Sequence, residues 1–309
     1  MVDLKVAPQL VNIEGHFVQL THLDKVLWPA PKITKSQYLL YLSQIAPHLL
    51  PFLHRRPLTV IRYPHGIDGE SFFQKNCPPY APTFVQTYTE EGTRYIICSN
   101  LATLIWLGNQ SALEFHIPFH PIGQKKPAEI VFDLDPPGES HFHLAVLAAR
   151  YMKELFDKLG LASFVKTSGN KGLQVYVPLK ENRYTYEETR QFTTFIAQYL
   201  VSTAPHLFTT ERLKRKRKGR LYIDYLQHAP GKTIIAPYSP RANPHASVAT
   251  PLDWDEVTPQ LKPHHFTQSR VLRRLKQKKC PFHAMEHVRE QQPFDEIVKW
   301  LSNHMNRIN

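Results

Sequence analysis

The sequence predicts a mixed sheet-and-helix fold, α/β or α+β, for three reasons. Strand-like and helix-like stretches alternate along all 309 residues, the composition (42% hydrophobic, 21% charged) is that of a folded chain, and no internal repeat interrupts the alternation. No run approaches the ~20 apolar residues that a bilayer-spanning helix requires, and residues 1–15 lack the charged-then-apolar pattern of a secretory signal. Cys77, Cys98 and Cys280 are odd in number and far apart. Free thiols in a reducing cytoplasm are expected rather than a disulfide framework.

The elements follow in order. Residues 12–20 alternate loosely and suggest one strand. Thr34 opens a helical pattern to about residue 50, where Pro51 is expected to stop it. Residues 58–62 suggest a strand leading into the turn-rich Pro64-His65-Gly66-Ile67-Asp68-Gly69. Residues 94–98 form another β-branched run, 101–113 have helical spacing, and 118–127 make a proline-bearing connection. Residues 129–135 form an apolar strand carrying two carboxylates and ended by Pro136-Pro137-Gly138. An amphipathic helix is expected over 142–159, closed by Gly160. Residues 163–167 and 173–179 look like strands around a glycine-bearing loop, 187–200 a second long helix, 221–226 a strand containing Asp224, and the tail from 255 helical and basic.

The charge balance narrows the partners. Thirty-eight Lys and Arg against 26 Asp and Glu leave a net +12, which suits a polyanion. No segment has the wide apolar face of a membrane-surface helix, so nucleic acid is favoured and no membrane partner is expected. The run from Arg212 to Arg220, with Lys214, Arg215, Lys216, Arg217 and Lys218, cannot be core. It is either a solvated loop or a phosphate-binding one.

Four features carry chemistry. Asp133 and Asp135 share one face of their strand while Phe132 and Leu134 share the other. Two such carboxylates repel unless a cation lies between them, and hard oxygen ligands suit Mg²⁺ or Mn²⁺. The alternative is that Asp135 caps the Asp-Pro-Pro-Gly turn beside a solvated Asp133. Asp224, set in an apolar strand, either adds a third carboxylate to a two-metal site or pairs with a basic side chain. The loop Ser168-Gly169-Asn170-Lys171-Gly172 is either a phosphate cradle or a simple hairpin. His283-Ala284-Met285-Glu286-His287 matches the H-x-x-E-H pattern of some zinc hydrolases, a weak signal in a chain with 17 histidines, and His141-Phe142-His143 is weaker still.

Taken together, the motifs resemble the polymerase domain of bacterial ligase D, in the archaeo-eukaryotic primase superfamily, over about residues 20–254. Leu20-Thr21-His22-Leu23-Asp24-Lys25 with Thr34-Lys35, the block from Arg56-Pro57-Leu58-Thr59 through Arg62-Tyr63-Pro64-His65-Gly66 to Phe72-Phe73-Gln74-Lys75, and Leu113-Glu114-Phe115-His116 resemble family segments. Val131-Phe132-Asp133-Leu134-Asp135-Pro136, Ser168-Gly169-Asn170-Lys171-Gly172-Leu173 and Asp224-Tyr225 then appear in the order of the three primase motifs. Ala236-Pro237-Tyr238-Ser239-Pro240-Arg241 and Thr250-Pro251-Leu252-Asp253-Trp254 follow.

The resemblance implies an α+β primase-polymerase fold with a mixed or antiparallel central sheet flanked by helices. It implies a single catalytic domain over 1–309, with a DNA-end-binding part at 1–125, a metal and nucleotide part at 126–255 and a helical part at 256–309. By the same resemblance Asp133, Asp135 and Asp224 hold two divalent ions, Mn²⁺ or Mg²⁺. Ser168, Lys171, Gln174, Arg241 and His116 contact the nucleotide. Lys25 and Lys35 hold the 5′-phosphate of a DNA end or gap, and Phe72 and Phe73 stack on the template. The implied activity is template-dependent nucleotidyl transfer from nucleoside triphosphates, often ribonucleotides, in non-homologous end joining, with Ku and a DNA ligase as partners, in the bacterial cytoplasm at the nucleoid.

One residue departs from the pattern. The second motif usually ends in His, whereas this chain has Gln174, which donates a hydrogen bond but never becomes cationic. De novo primase activity and a DNA-end-binding module with weakened catalysis are the alternatives. No Lys-x-Asp-Gly ligase signature occurs in the chain, so sealing is expected from a separate ligase or other domains.

Overall fold

The computed structural model describes residues 8–305, the side chain of Met305 excepted. They form two compact units. One comprises the chain through Pro118 together with Ile234–Thr250 and His264–Lys278. The other comprises Phe119–Thr233, Pro251–Pro263 and the chain from Lys279. Each unit is discontinuous in sequence.

The first unit is built on the helix Lys35–Leu53. Thr34 caps it by accepting from the Gln37 amide, while the Gln37 side chain returns a bond to the Thr34 amide. Pro51 does not stop this helix, which contains both Pro47 and Pro51. Both prolines lie on the exposed face, where water solvates the carbonyls left without a donor. Tyr38, Leu42, Ile45, Leu49 and Leu53 are fully buried on the other, so core packing carries the helix through. The Tyr41 hydroxyl donates to the Tyr238 carbonyl at 2.8 Å.

The same unit holds a four-stranded sheet in the order Thr233–Ile235, Ala112–Pro118, Thr59–Arg62, Phe72–Gln74. The helix expected over 101–113 is shorter, Leu101–Asn109. Ser111 takes a left-handed φ of 58° and turns the chain into the strand Ala112–Pro118, whose first two residues fell within the expected helix. Residues 12–20 are part of a hairpin rather than one strand. Gln9–Ile13 pairs with His16–Leu20 across a turn at Glu14 and Gly15, both at positive φ.

The second unit carries a six-stranded sheet ordered Phe208–Thr209, Leu221–Asp224, Glu129–Asp135, Leu173–Pro178, Phe164–Thr167, Pro251–Leu252. Its pairings are antiparallel except that of Phe208–Thr209 with Leu221–Asp224. The architecture is α+β with a mixed sheet, as expected. The strand Leu221–Asp224 is shorter than the expected 221–226, so Asp224 is its last residue and not a mid-strand one.

Helices Phe142–Lys158 and Tyr186–Thr203 cover one face of the central strand. The ring of Phe132 lies 5.8 Å from Phe156 and 6.2 Å from Phe192. Beyond the area they bury, such aromatic pairs contribute about 0.5–1.5 kcal/mol each. Anchoring Phe132 and Leu134 against the helices sends Asp133 and Asp135 to the opposite face. The tail contains the short helix Gln268–Leu275 and the terminal helix Phe294–Met305. No helix among the described residues is long and apolar enough to cross a membrane.

Candidate functional site

Strand register in the second unit sets one row of side chains. Lys166 lies opposite Gln174, Gln174 opposite Asp133, and Asp133 opposite Asp224. Directly paired residues in an antiparallel sheet have Cα atoms about 4.5–5.5 Å apart. Two carboxylates 91 positions apart in sequence thus face each other across a single strand pairing.

The Gln174 Nε2 donates to Asp133 Oδ1 at 3.0 Å. Burial, together with the charges of Asp224 and Asp135, pushes the Asp133 carboxyl up to about 6, against the Gln174 amide and the Lys166 charge, which pull it down. Asp224 Oδ1 accepts from the Tyr222 hydroxyl at 3.1 Å and the Gln227 amide at 3.0 Å. Burial, then the neighbouring Asp224, raises the Tyr222 hydroxyl above its ordinary value.

Asp135 has different company. One oxygen lies 3.1 Å from Lys171 Nζ and the other 3.1 Å from Arg217 Nη1. The turn-capping alternative for Asp135 is therefore replaced by a two-cation clamp. Arg217 also lies 4.0 Å from the centre of the Tyr222 ring. Its side chain is only 11% exposed, so this member of the basic run is packed against the site rather than solvated. Arg217 is a site residue that sequence reasoning missed, because within a run of seven like charges nothing local marks the one that reaches Asp135.

The donor set fits hard divalent cations: Asp133 and Asp224 offer carboxylate oxygens from facing strands, paired residue to residue. Asp135 meets its cations through Lys171 and Arg217, and no three His, Cys, Asp or Glu side chains among the described residues form a ready-made cage. The rings of His283 and His287 are 6.1 Å apart and likewise have no third ligand among these residues.

The loop after Thr167 is a tight hairpin. Ser168 Oγ accepts from the Asn170 and Gly172 amides at 3.2 and 3.1 Å, and Lys171 Nζ donates to the Pro136 carbonyl at 2.7 Å. Gly172 has a packing reason to be glycine: a Cβ there would stand 2.3 Å from the Leu134 carbonyl oxygen. Gln174, expected to touch nucleotide, is buried and spends its amide donor on Asp133.

In the first unit, His116 and Arg241 converge on Glu114, whose Oε2 lies 3.1 Å from His116 Nε2 and 3.1 Å from Arg241 Nη1. Glu114 Oε1 accepts from the Ala242 amide at 3.0 Å. Burial pushes this carboxyl up, but His116, Arg241 and the amide outweigh it and hold the group below its ordinary value. Glu114 belongs to the Leu113-Glu114-Phe115-His116 segment, where its place two residues before His116 on the same strand face is the only local signal of this role.

A second cluster of the first unit gathers cations. The Lys35 amide donates to the Lys25 carbonyl at 2.7 Å, Lys25 Nζ donates to the Pro64 carbonyl at 2.9 Å, and Lys35 Nζ to the Thr21 carbonyl at 2.7 Å. Burial, then the charges of Lys25 and Arg62, depress Lys35 to about 8. Gly66, at a φ of 81°, brings the turn against the Val26 and Leu27 carbonyls, where a Cβ would stand 3.0 Å from each oxygen.

Arg62 is the third cation and was not singled out. Its Nη1 donates to Gln74 Oε1 at 2.9 Å, and its guanidinium lies 5.3 Å from the Phe72 ring. Phe72 and Phe73 sit on the Phe72–Gln74 strand, 45% and 68% exposed. The two neighbouring rings leave exposed aromatic surface beside the Arg62 guanidinium.

Comparison with known proteins follows the same lines. Residues 34–282 match the family model described as LigD, primase-polymerase domain. The chain is 50% identical over 284 residues to the bifunctional non-homologous end joining protein LigD of Bacillus subtilis, covering 92% of this chain and 46% of that protein. It is 36% identical over 267 residues to the multifunctional LigD of Mycolicibacterium smegmatis, covering 84% and 34%. The chain thus spans less than half the length of these relatives. Among solved structures, the polymerase domain of Mycobacterium tuberculosis ligase D in complex with DNA matches with a TM-score of 0.79 and 32% identity, covering 89% of this chain and 99% of that one.

Proposed function

We infer the function from one premise: the chain belongs to the LigD primase-polymerase domain family. On that premise it is a nucleotidyltransferase that extends a primer strand on a template, filling gaps or extending ends during DNA break repair. The observation that carries this reading is the facing of Asp133 and Asp224 across adjacent strands, on the sheet face opposite the helices.

Asp133, Asp224 and Asp135 are the proposed ligands of two divalent cations, Mn²⁺ or Mg²⁺. When bound, such ions lower the barrier to attack by a primer 3′-hydroxyl on the α-phosphate and stabilise the departing pyrophosphate. The chain's own residues position and neutralise. Gln174 holds the Asp133 carboxylate by one oxygen, leaving the other available. Lys171 and Arg217 offset the Asp135 charge. By family membership Ser168 and Lys171 in the second unit are proposed nucleotide contacts, and so, taken separately, are Arg241 and His116 in the first, where Glu114 orients both. No covalent protein intermediate is required, so orientation and charge supply the catalysis.

Lys25 and Lys35, joined by Arg62, form the proposed cradle for the 5′-phosphate of a DNA end, and Phe72 and Phe73 the proposed stacking platform. Three cations beside exposed rings favour end recognition over unprimed strand initiation. A ribonucleotide preference, Ku and ligase partners and a nucleoid location follow from family membership alone, as does the division of roles among residues 1–125, 126–255 and 256–309.

The test is extension of a gapped, 5′-phosphorylated duplex with Mn²⁺ and nucleoside triphosphates. The expected result is single-nucleotide gap filling that is lost in an Asp133→Ala, Asp135→Ala double variant. Incorporation that survives in that variant sinks the assignment, and product on unprimed single strands would reorder it toward primase activity.

A further inference from the structure

The chain's positive charge is not spread evenly. Residues 212–220 hold seven Lys or Arg and no Asp or Glu, and residues 257–285 hold another seven and again none. Together they exceed the net +12, so the remainder of the chain is slightly acidic. The first segment supplies Arg217 to the site described above. The second has no assigned role.

Within that second segment lies the first unit's helix Gln268–Leu275. Gln268 and Val271 are buried and fix its orientation. Its exposed positions and those just past its end are Ser269, Arg270, Arg273, Lys276 and Gln277, which recur at helical spacing and so form one stripe, neighbours about 5–6 Å apart. Every side chain on the stripe is a potential hydrogen-bond donor, and none is apolar or acidic. The Arg270 guanidinium makes only a 3.5 Å bond to the His265 carbonyl, and none of Arg270, Arg273 and Lys276 has a carboxylate partner among the described residues.

We propose that this stripe is a second nucleic-acid contact, binding the phosphate backbone of duplex DNA without reading its sequence. A helix of this length runs about 12 Å, against which duplex DNA presents one charge per ~1.7 Å, so three cations on one stripe meet several phosphates at once. A lipid surface is disfavoured because the stripe offers nothing apolar to insert. Single-stranded DNA is disfavoured because the stripe carries no aromatic ring on which a base stacks. The favourable interaction of cations with the C-terminal end of a helix dipole accounts for Arg273 and Lys276, but not for Arg270 in the first turn. The inference takes from the repair reading only the nature of the partner.

The experiment uses the full chain and a blunt 30-base-pair duplex without 5′-phosphates, metal or nucleotide, so that it is independent of catalysis and of the Lys25–Lys35 cluster. Dissociation constants are measured by fluorescence anisotropy between 50 and 200 mM salt for the parent, for the triple variant Arg270→Gln, Arg273→Gln, Lys276→Gln, and for a charge-matched control, Lys158→Gln, Lys232→Gln, Lys299→Gln, at exposed positions elsewhere. Each lost phosphate contact removes about 0.9 from the log–log salt slope. The expected result is a slope reduced by ~2–3 in the triple variant and by less than ~1 in the control, with thermal midpoints unchanged. Equal slopes for the triple variant and the control overturn the proposal. Gap filling measured in parallel on the parent decides the repair reading separately.

Discussion

Gln174 stands directly across the sheet from Asp133 and donates its side-chain amide to that carboxylate at 3.0 Å. The other amide atom, Oε1, is buried without a hydrogen-bond partner, so the side chain is committed to Asp133 through its nitrogen alone. Gln174→Leu keeps the volume, removes an orphaned acceptor and deletes the donor. A proton competes with a cation for Asp133 only below its pKa, which already stands at about 6. Losing the donor raises that pKa further. The Mn²⁺ concentration for half-maximal incorporation is therefore expected to rise on the order of tenfold, matching the ~1.5 kcal/mol of a charge-assisted bond, and more at pH 6 than at pH 8. A metal requirement that is unchanged at both pH values would show that Gln174 does not act through Asp133.

Glu114 tethers His116 and Arg241 at once. Glu114→Gln keeps a neutral acceptor but removes the charge, leaving the part-buried Arg241 without its ion partner. Breaking such a pair costs about 3–5 kcal/mol when fully buried and less here. If the two residues contact nucleotide, the KM for nucleoside triphosphate is expected to rise about tenfold or more while kcat falls less, and Glu114→Asp is expected to recover part of the loss. A fall in kcat at constant KM would contradict the positioning role.

Lys35, depressed to about 8, is charged below that pH and neutral above it. The preference for a 5′-phosphorylated end over a 5′-hydroxyl end is expected to be largest near pH 7 and to shrink toward pH 9. Because a bound phosphate holds the proton on, the midpoint with DNA lies above the free value. Titrating both substrates by anisotropy measures this. A Lys35→Arg variant, charged throughout, is expected to flatten the profile.

Gly172→Ala tests the hairpin that presents Lys171. The added methyl would meet the Leu134 carbonyl oxygen at 2.3 Å, and backbone on both sides leaves no flexible atom to yield. The expected outcome is a loss of at least ~2–3 kcal/mol of stability, seen as a lower midpoint in urea unfolding, and with it a loss of incorporation. An unperturbed midpoint would mean that the strands part more easily than their register suggests.

Several elements were legible because local rules and burial agree. The strand Glu129–Asp135 and the helix beginning at Phe142 match their expected bounds, since an apolar run ended by Pro-Pro-Gly and an amphipathic period ended by Gly160 admit few alternatives. The misses have specific causes. Pro51 is compatible with its helix because Leu49 and Leu53 are held in the core. The helical spacing expected over 101–113 runs into the strand Ala112–Pro118 by two residues, because Ala112 and Leu113 continue the apolar run of the helix and the left-handed turn at Ser111 carries no local warning, while the alternation from Leu113 to Ile117 begins only beyond it. Arg62 and Glu114 lay within recognised motifs, yet their importance rests on what they touch across the fold.

The sequence by itself determined the mixed α+β class, the excess positive charge, the face of the strand on which Asp133 and Asp135 lie, and the ordered motifs that mark the family. Each depends on neighbours within a few positions or on composition, and local sterics and side-chain alternation suffice for both. Only the tertiary structure decided that Asp224 faces Asp133, that Gln174 is spent on that carboxylate, and that Lys171 and Arg217 close on Asp135. Strand order and register bring together residues tens of positions apart, and those are fixed by how each sheet buries its apolar face, a property of the whole unit that no short stretch contains.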